Sequence, residues 1–209
     1  MNKDLGPENS QVIVAFVGSV NAGKSSVINT LLSQVEVDVG PFPGVTNKVS
    51  RHNFGKTLVI VDTPGLYDID QNVSSKTDQF LNAEADAVVF FINGAQGVTE
   101  QDVIAYSGIR KSGLPVIVVC SRIDLIEPND QVALVVEQAE KTLQAEVIPL
   151  SSRNGLGIED LGGEMLILSA KIKQDRDDFL RINLNSVLRQ IDFSVSSNIF
   201  YWLAGKFIR

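Results

Sequence analysis

A glycine-rich segment near the start of the chain has the residue pattern of a loop that binds phosphate groups. It reads GSVNAGKS at residues 18–25 and matches the pattern G-x-x-x-x-G-K-[ST]. Backbone N–H groups of such a loop, at the N-terminus of the following helix, can hold phosphate oxygens without side chains. Lys24 would reach the β and γ phosphates of a nucleotide, and the hydroxyl of Ser25 would bind Mg²⁺. A plain strand-to-helix turn is the alternative interpretation.

A carboxylate follows another strand-like run further along the chain. Asp62 comes directly after the apolar run LVIV and begins the sequence DTPG at residues 62–65. A carboxylate at this place can hold Mg²⁺, usually through a water molecule. Asp-x-x-Gly alone is a turn found in many proteins, but its combination with the phosphate loop indicates one site for a nucleotide and its metal.

Alternating strand-like and helix-like segments would position these loops. Strands are predicted at residues 11–17, 48–54, 57–62, 87–92, 115–120 and 147–150, and those at 11–17, 87–92 and 115–120 are short apolar runs. Apolar residues at helical spacing predict helices at residues 24–33, 99–112, 129–143 and 158–173. The second and third strands are separated only by Gly55 and Lys56, which predicts a hairpin. We therefore predict an α/β fold: a doubly wound, mostly parallel six-stranded sheet with helices on both faces.

The composition is typical of a soluble globular protein, and the net charge argues against nucleic acid as a partner. The 209 residues suffice for one domain with an appendage, and the net charge of −7 opposes general binding to nucleic-acid phosphates.

Cys120 is the single cysteine, so no intrachain disulfide forms, and its apolar run predicts a buried thiol. The N-terminus lacks the apolar segment of a signal peptide, and no run reaches the ~18 apolar residues of a membrane span. We expect a cytoplasmic protein, with peripheral membrane contact as an alternative.

The motifs together resemble those of the P-loop GTPases, in particular the Era/TrmE-like branch of the translation-factor-related class. The resemblance covers residues 11–173. The segments that carry it are GSVNAGKSSVINTLL (18–32), PGVT (43–46), DTPGL (62–66), SRID (121–124) and SSRNGLGIEDL (151–161). It implies a Ras-like G domain that binds GTP or GDP and hydrolyses GTP to GDP and phosphate as a Mg²⁺-dependent switch.

The resemblance assigns roles to individual residues. It implies that Lys24, Thr46 and Gly65 act on the γ-phosphate, and that Ser25, Thr46 and Asp62 hold Mg²⁺. Loss of the γ-phosphate would release the loops that carry Thr46 and Gly65, which is an order-to-disorder switch. The implied nucleotide-binding residues are Asn21, Ala22, Gly23, Lys24, Ser25, Ser26, Asp62, Gly65, Ser121, Arg122, Asp124, Ser151, Ser152 and Arg153.

The segment that would recognise guanine departs from the family pattern Asn-Lys-x-Asp. Asp124 is retained and would accept hydrogen bonds from guanine N1–H and the exocyclic amine, a donor pair that adenine lacks. Ser121 is shorter than the family's Asn, whereas Arg122 can stack on the base as the Lys stem does. Ser152 replaces an Ala whose backbone N–H meets the guanine oxygen, and a backbone contact survives that change. We expect guanine preference with reduced affinity; a strand end followed by a helix cap is the alternative.

A second departure concerns hydrolysis. Leu66 stands where Ras-type enzymes carry the Gln that orients the attacking water, so the intrinsic rate should be slow. Several members of the resembled branch recruit K⁺ or a dimer partner. Asn21 is the candidate K⁺ ligand, and bracing of the loop is its alternative role. The rival functions are a guanine-nucleotide-binding module with little hydrolysis and the G domain of a dynamin-like membrane-associated GTPase.

The resemblance divides the chain into three parts. Residues 1–10 are predicted to be a flexible N-terminus, residues 11–173 the G domain and residues 174–209 an amphipathic helical extension. Apolar residues of the extension recur at three- and four-residue spacing: Leu180, Leu184, Val187, Leu188, Ile191 and Val195. The aromatic-rich end, IFYWLAGKFIR, suits packing on the domain itself, a partner or dimer interface, or a membrane surface. The sequence does not reveal which effector protein the chain binds.

Overall fold

A computed structural model describes residues 11–33, 50–63, 81, 83–128 and 131–190, and of residues 180–190 it describes the backbone only. The predictions made for residues 1–10, Thr46, Gly65, Leu66 and residues 191–209 lie outside this part of the chain. The chain divides into two compact units, Met1–Ile172 and Lys173–Arg209. Assignment of these units to a G domain and an extension stays a prediction.

Six strands of the described residues form one sheet in the order β2-β3-β1-β4-β5-β6. They are β1 Val12–Gly18, β2 Ser50–Phe54, β3 Leu58–Asp62, β4 Ala87–Asn93, β5 Val116–Ser121 and β6 Val147–Pro149. β2 runs antiparallel to β3, and the other neighbouring strands are parallel. The prediction of a mostly parallel six-stranded sheet is confirmed.

The described residues include four α-helices, which connect the strands or follow them. They are α1 Lys24–Ser33, α2 Glu100–Lys111, α3 Val132–Leu143 and α4 Ile158–Gln190, and a short 3₁₀-helix covers Ile123–Leu125. A helix over residues 158–173 was expected, but α4 continues without a break to Gln190. Residues 164–190 contain neither Gly nor Pro, the residues that most strongly interrupt a helix.

Helices cover both faces of the sheet, as the doubly wound prediction requires. Because successive side chains of a strand point to opposite faces, β1 supplies both cores. Val14 and Phe16 pack in one core with residues of α1 and α4, including Leu31 and Met165. The other core holds Ala15 and Val17 of β1 with Phe90 of β4, Tyr106 and Ile109 of α2, and Ala139 and Leu143 of α3. The central strands are therefore rigid supports for the loops that follow them.

The β2–β3 hairpin has a longer turn than the sequence predicts. Three residues lie between Phe54 and Leu58, which are paired, and the first of them, Gly55, has φ of +65°. This register places Ser50 opposite Asp62. A two-residue turn would have shifted the pairing by one residue and turned the side chains of β2 to the other face.

Within the part of the chain that the structure describes, no helix combines the length and the apolarity that crossing a membrane requires.

Candidate nucleotide-binding site

The loops that carry the predicted site residues meet at one edge of the sheet. The phosphate loop leaves β1 at Gly18 and enters α1 at Lys24, while Asp62 is the last residue of β3. Ser121 ends β5, and residues 151–153 follow β6. Because these four strands are parallel, their carboxyl ends lie on the same side, which is where open α/β sheets bind ligands.

A cavity of about 430 Å³ lies at this edge. Its lining includes the predicted residues Asn21, Ala22, Gly23, Lys24, Ser25, Ser26, Asp62 and Arg122. Three further lining residues, Val20, Ser50 and Thr63, were not predicted. Ser50 could have been found from the correct hairpin register, since it pairs with Asp62. Ser121, Asp124, Ser151, Ser152 and Arg153 are not among the lining residues.

Lys24 is buried at the base of the phosphate loop. Its Nζ donates hydrogen bonds to the carbonyl oxygens of Gly18 and Ser19, each at 3.0 Å. Burial lowers the pKa of Lys24, and the nearby charge of Asp62 partly opposes this change. The loop therefore holds Lys24 close to the loop backbone, at the N-terminus of α1. The dipole of α1 also favours binding of an anion at this helix end.

Ser25 and Asp62 form the metal-binding half of the predicted site. The Ser25 hydroxyl donates to the Asp62 carboxylate, with 2.6 Å between Oγ and Oδ2. A hydroxyl and a carboxylate are the hard oxygen donors that Mg²⁺ prefers, so these residues fit the predicted ion. Thr63, the next residue, donates its hydroxyl to the carbonyl of Phe16 at 2.7 Å and fixes the end of β3 against β1.

The segment predicted to recognise the base is joined to the loop after β6. The Asp124 carboxylate accepts a hydrogen bond from the Ser151 hydroxyl, with 2.6 Å between the oxygens. Ser151 Oγ in turn accepts from the backbone N–H of Arg153 at 3.2 Å. The Thr30 hydroxyl of α1 lies 3.0 Å from the carbonyl oxygen of Ser26 in the same helix and 3.4 Å from that of Ser152, so this loop lies beside the helix after the phosphate loop. The structure thus brings together the two loops that the resemblance assigns to guanine.

Two residues that line the cavity have left-handed backbone conformations. Asn21 has φ of +63° and Arg122 has φ of +59°. Asparagine is enriched in this conformation, whereas a long side chain such as arginine adopts it uncommonly. Strained residues of this kind concentrate at ligand sites because the surrounding structure must hold them in place.

These features define a class of protein. A strand, a glycine-rich loop and a helix hold a buried lysine, and a carboxylate from the adjacent parallel strand meets the first hydroxyl of that helix. With the sheet order and the cavity, this arrangement is that of a phosphate-loop nucleotide-binding domain.

A comparison with models of protein families identifies the family within this class. Residues 13–122 match the family described as 50S ribosome-binding GTPase, and this match covers more than half of the 209 residues. The chain belongs to this GTPase family.

Curated relatives support the same family. GTPase Der from Persephonella marina is 32% identical over 178 residues, which cover 77% of this chain and 40% of the relative. GTPase Era from Lactobacillus delbrueckii subsp. bulgaricus is 30% identical over 156 residues, covering 71% of this chain and 51% of the relative. The chain therefore spans about half or less of the length of these relatives.

Solved structures agree with the resemblance to Era. The structure of Era in complex with MgGDPNP and 16S ribosomal RNA has a TM-score of 0.59 and 28% identity, covering 75% of this chain and 56% of that chain. Era from Aquifex aeolicus bound to GDP and AlF4⁻ gives the same TM-score and identity, covering 74% and 55%. The Era-like resemblance is confirmed, and the dynamin-like alternative is not favoured.

Proposed function

We propose that this chain binds GTP and GDP and hydrolyses GTP to GDP and phosphate as a molecular switch. The observation that carries the proposal is the convergence of Lys24, Ser25 and Asp62 around one cavity at the edge of the sheet. Family membership and the relatives named GTPase support it. A chain with this geometry can bind the phosphates of a nucleotide, balance their charge and hold the metal beside them.

The reaction would depend mainly on stabilisation of charge. Lys24 and the backbone amides of the phosphate loop would stabilise the negative charge on the transferred phosphoryl group. Ser25, Thr46 and Asp62 would hold Mg²⁺, which when bound neutralises charge on the phosphate oxygens. The backbone N–H of Gly65 would bind the γ-phosphate. Loss of the γ-phosphate on hydrolysis would release the loops of Thr46 and Gly65.

Guanine selectivity is tested by competition between nucleotides. GDP, ADP and XDP compete against a fluorescent GDP analogue in the presence of Mg²⁺. We expect GDP to win by orders of magnitude, because the Asp124 carboxylate pairs with two N–H donors of guanine. Asp124→Asn should shift the preference towards XDP. Equal competition by ADP would mean that the chain is a phosphate-loop nucleotide-binding protein whose base preference is unknown.

Hydrolysis is tested by single-turnover phosphate release with Na⁺ or K⁺. We expect slow release that K⁺ accelerates, and loss of the acceleration in Asn21→Ala, since Asn21 lies in the phosphate loop and lines the cavity. Asn53→Ala, in β2, removes the same side chain outside the cavity lining and should leave the K⁺ effect intact. Absence of phosphate release under any condition would favour the rival, a guanine-nucleotide-binding module that does not turn over.

The partners beyond the nucleotide stay predictions. The solved Era structure contains 16S ribosomal RNA, so RNA is the partner to test first. The net charge of −7 supports our expectation that nucleic acid is not bound. Salt-sensitive retention of a ribosomal RNA fragment in filter binding would contradict it. A cytoplasmic location, a homodimer and an effector protein are likewise proposals from the sequence.

A further inference from the structure

The pairing of β2 with β3 places a serine beside the predicted metal-binding carboxylate. Ser50 begins β2 and lies directly opposite Asp62, the last residue of β3, in the antiparallel register. Side chains of directly opposite residues point to the same face of a sheet, with about 5 Å between their Cβ atoms. Hydroxyl groups form cross-strand hydrogen bonds at this spacing, so the Ser50 hydroxyl is placed to reach the Asp62 carboxylate.

The face that Ser50 and Asp62 share is the face that α1 covers. Because side chains alternate along a strand, Asp62 points to the same side as Ile60, which packs in one core with Ile28 of α1. The Ser25 hydroxyl, in the first turn of α1, contacts Asp62 at 2.6 Å. Two hydroxyl side chains, one on α1 and one on β2, are therefore neighbours of this carboxylate.

Ser50 also belongs to the cavity. It is exposed and lines the cavity together with Ser25 and Asp62. Asp62 Oδ2 accepts from Ser25, but a carboxylate offers about four acceptor positions. The remaining positions can accept from a second hydroxyl and from water molecules of Mg²⁺, an ion that usually keeps several of its waters when it binds.

We propose that Ser50 is a positioning residue for the metal site, and that its hydroxyl donates to the Asp62 carboxylate when Mg²⁺ is bound. The proposal rests on the proposed GTP-binding function and deepens its metal site. One hydrogen bond from Ser25 leaves the carboxylate able to turn, whereas a second one from the neighbouring strand fixes its orientation. Carboxylates at metal sites depend on such hydrogen bonds for their orientation.

The test separates metal affinity from nucleotide affinity. A fluorescent GDP analogue is titrated onto the chain with excess Mg²⁺ and again with EDTA, and the ratio of the two affinities measures the contribution of the metal. Ser50→Val removes the hydroxyl and Ser50→Thr keeps it, while both β-branched residues suit a strand. We expect Ser50→Val to reduce the ratio by about three- to tenfold, the usual effect of one lost hydrogen bond. Affinity in EDTA should be unchanged, and Ser50→Thr should keep the wild-type ratio.

Mn²⁺ provides a second measurement that does not use a fluorescent nucleotide. Electron paramagnetic resonance of free Mn²⁺, added to the chain saturated with GDP, gives the metal affinity directly. We expect binding about three- to tenfold weaker in Ser50→Val and wild-type binding in Ser50→Thr. Ser50→Ala should behave as Ser50→Val does, and it replaces this variant if the valine chain does not fold.

Asp62→Ala tests whether Ser50 acts through the carboxylate. Ser25 and the nucleotide phosphates would still hold the metal in this chain, so the ratio with and without Mg²⁺ stays measurable. Ser50→Val and Ser50→Thr should give the same ratio when each is combined with Asp62→Ala. A difference that persists would contradict positioning through Asp62, because Ser50 would then contact the metal or its water molecules independently.

Two results for Ser50→Val would overturn the proposal. An equal loss of affinity with Mg²⁺ and with EDTA would mean that Ser50 supports the nucleotide or the fold, and an unchanged ratio would mean that it does not act on the metal. Equal GDP binding by the wild-type chain with and without Mg²⁺ would overturn the metal site and this proposal with it. A wild-type chain that binds no GDP under either condition would contradict the proposed function itself, a result distinct from these.

Discussion

Lys24 is the residue whose position most directly links the sequence motif to chemistry. It is 7% exposed and contacts two carbonyl oxygens of its own loop. Burial disfavours the charged form of Lys24, and this lowers the stability of the folded chain. A negatively charged phosphate group bound beside Lys24 would offset that loss of stability. The stability of the chain and its affinity for phosphate should therefore respond differently to removal of this charge.

Lys24→Met should weaken GDP binding by about 10- to 100-fold, because a hydrogen bond to a charged group is lost. The melting temperature should change little, since loss of two hydrogen bonds is offset by relief of the buried charge. Isothermal titration and thermal denaturation measure the two effects. Lys56→Met, in the exposed hairpin turn, should change neither. Unaltered GDP affinity in Lys24→Met would contradict the assignment.

Cys120 gives a prediction about pH. Burial raises the pKa of this thiol from an ordinary value of 9.0 to about 11. Between these values the unfolded thiol ionises and the folded thiol does not, so stability falls as the pH rises. Over this range the loss from Cys120 should reach about 2–3 kcal/mol.

Cys120→Ala should therefore show a shallower decline of unfolding free energy from pH 9 to pH 11 than the wild-type chain. Urea denaturation at several pH values measures both profiles, and contributions of lysine and tyrosine cancel in their difference. Parallel profiles would mean that the thiol is not shielded from water. Cys120 is 0% exposed, in the middle of the parallel strands.

At the scale of elements, the approach of β1 to β4 determines where the phosphate loop begins. Gly18 ends β1 beside Phe91 of β4, and a Cβ on Gly18 would lie 2.6 Å from the Phe91 carbonyl oxygen. Both strands are central and covered on both faces, so neither can move away easily. The first glycine of the motif is thus required by strand packing as well as by phosphate binding.

Gly18→Ala should destabilise the chain by about 1–3 kcal/mol, the usual effect of overpacking a rigid core, and should also weaken GDP binding. Gly163→Ala is the control, because no atom outside the neighbouring backbone of its own helix lies within 4 Å of a Cβ at that position. It should stabilise the chain by about 1 kcal/mol through helix propensity. Urea denaturation distinguishes them; equal effects of the two changes would contradict the packing argument.

At the scale of the whole molecule, the site couples ligand binding to folding. The residues around the cavity come from separate strand ends, so a nucleotide should bind only the folded chain. Ligand at a free concentration of 100 times its Kd then adds about 2.7 kcal/mol to the stability.

Mg²⁺ and GDP should therefore raise the melting temperature, and ADP at the same concentration should not. Differential scanning fluorimetry measures the shift, and Lys24→Met, with its roughly 10- to 100-fold weaker binding, should reduce it to about half or less at the same GDP concentration. An equal shift with ADP would show that the phosphates bind without recognition of the base. Absence of any shift with GDP would contradict the proposed function.

Sequence patterns predicted most of the fold and most of the residues that line the cavity, because both depend on local signals. Apolar runs fixed the strands to within one or two residues where the structure describes them, and α1 was predicted with its observed bounds. The hairpin turn was predicted one residue too short, and the predicted helix over residues 158–173 and the start of the predicted helical extension form one continuous helix as far as Gln190. Register and helix length depend on neighbours that a local pattern does not contain.

The sequence by itself determined the class of this protein, since the spacing of Gly18, Gly23, Lys24 and Ser25 is a property of one loop and the helix after it. Only the tertiary structure decided which groups the remaining polar side chains contact. Ser121 and Ala22 are 99 residues apart in the chain, and Asp124 and Ser151 are 27 apart. Sheet order and register bring such groups to hydrogen-bonding distance, because parallel strands end at a common edge whatever their separation in sequence.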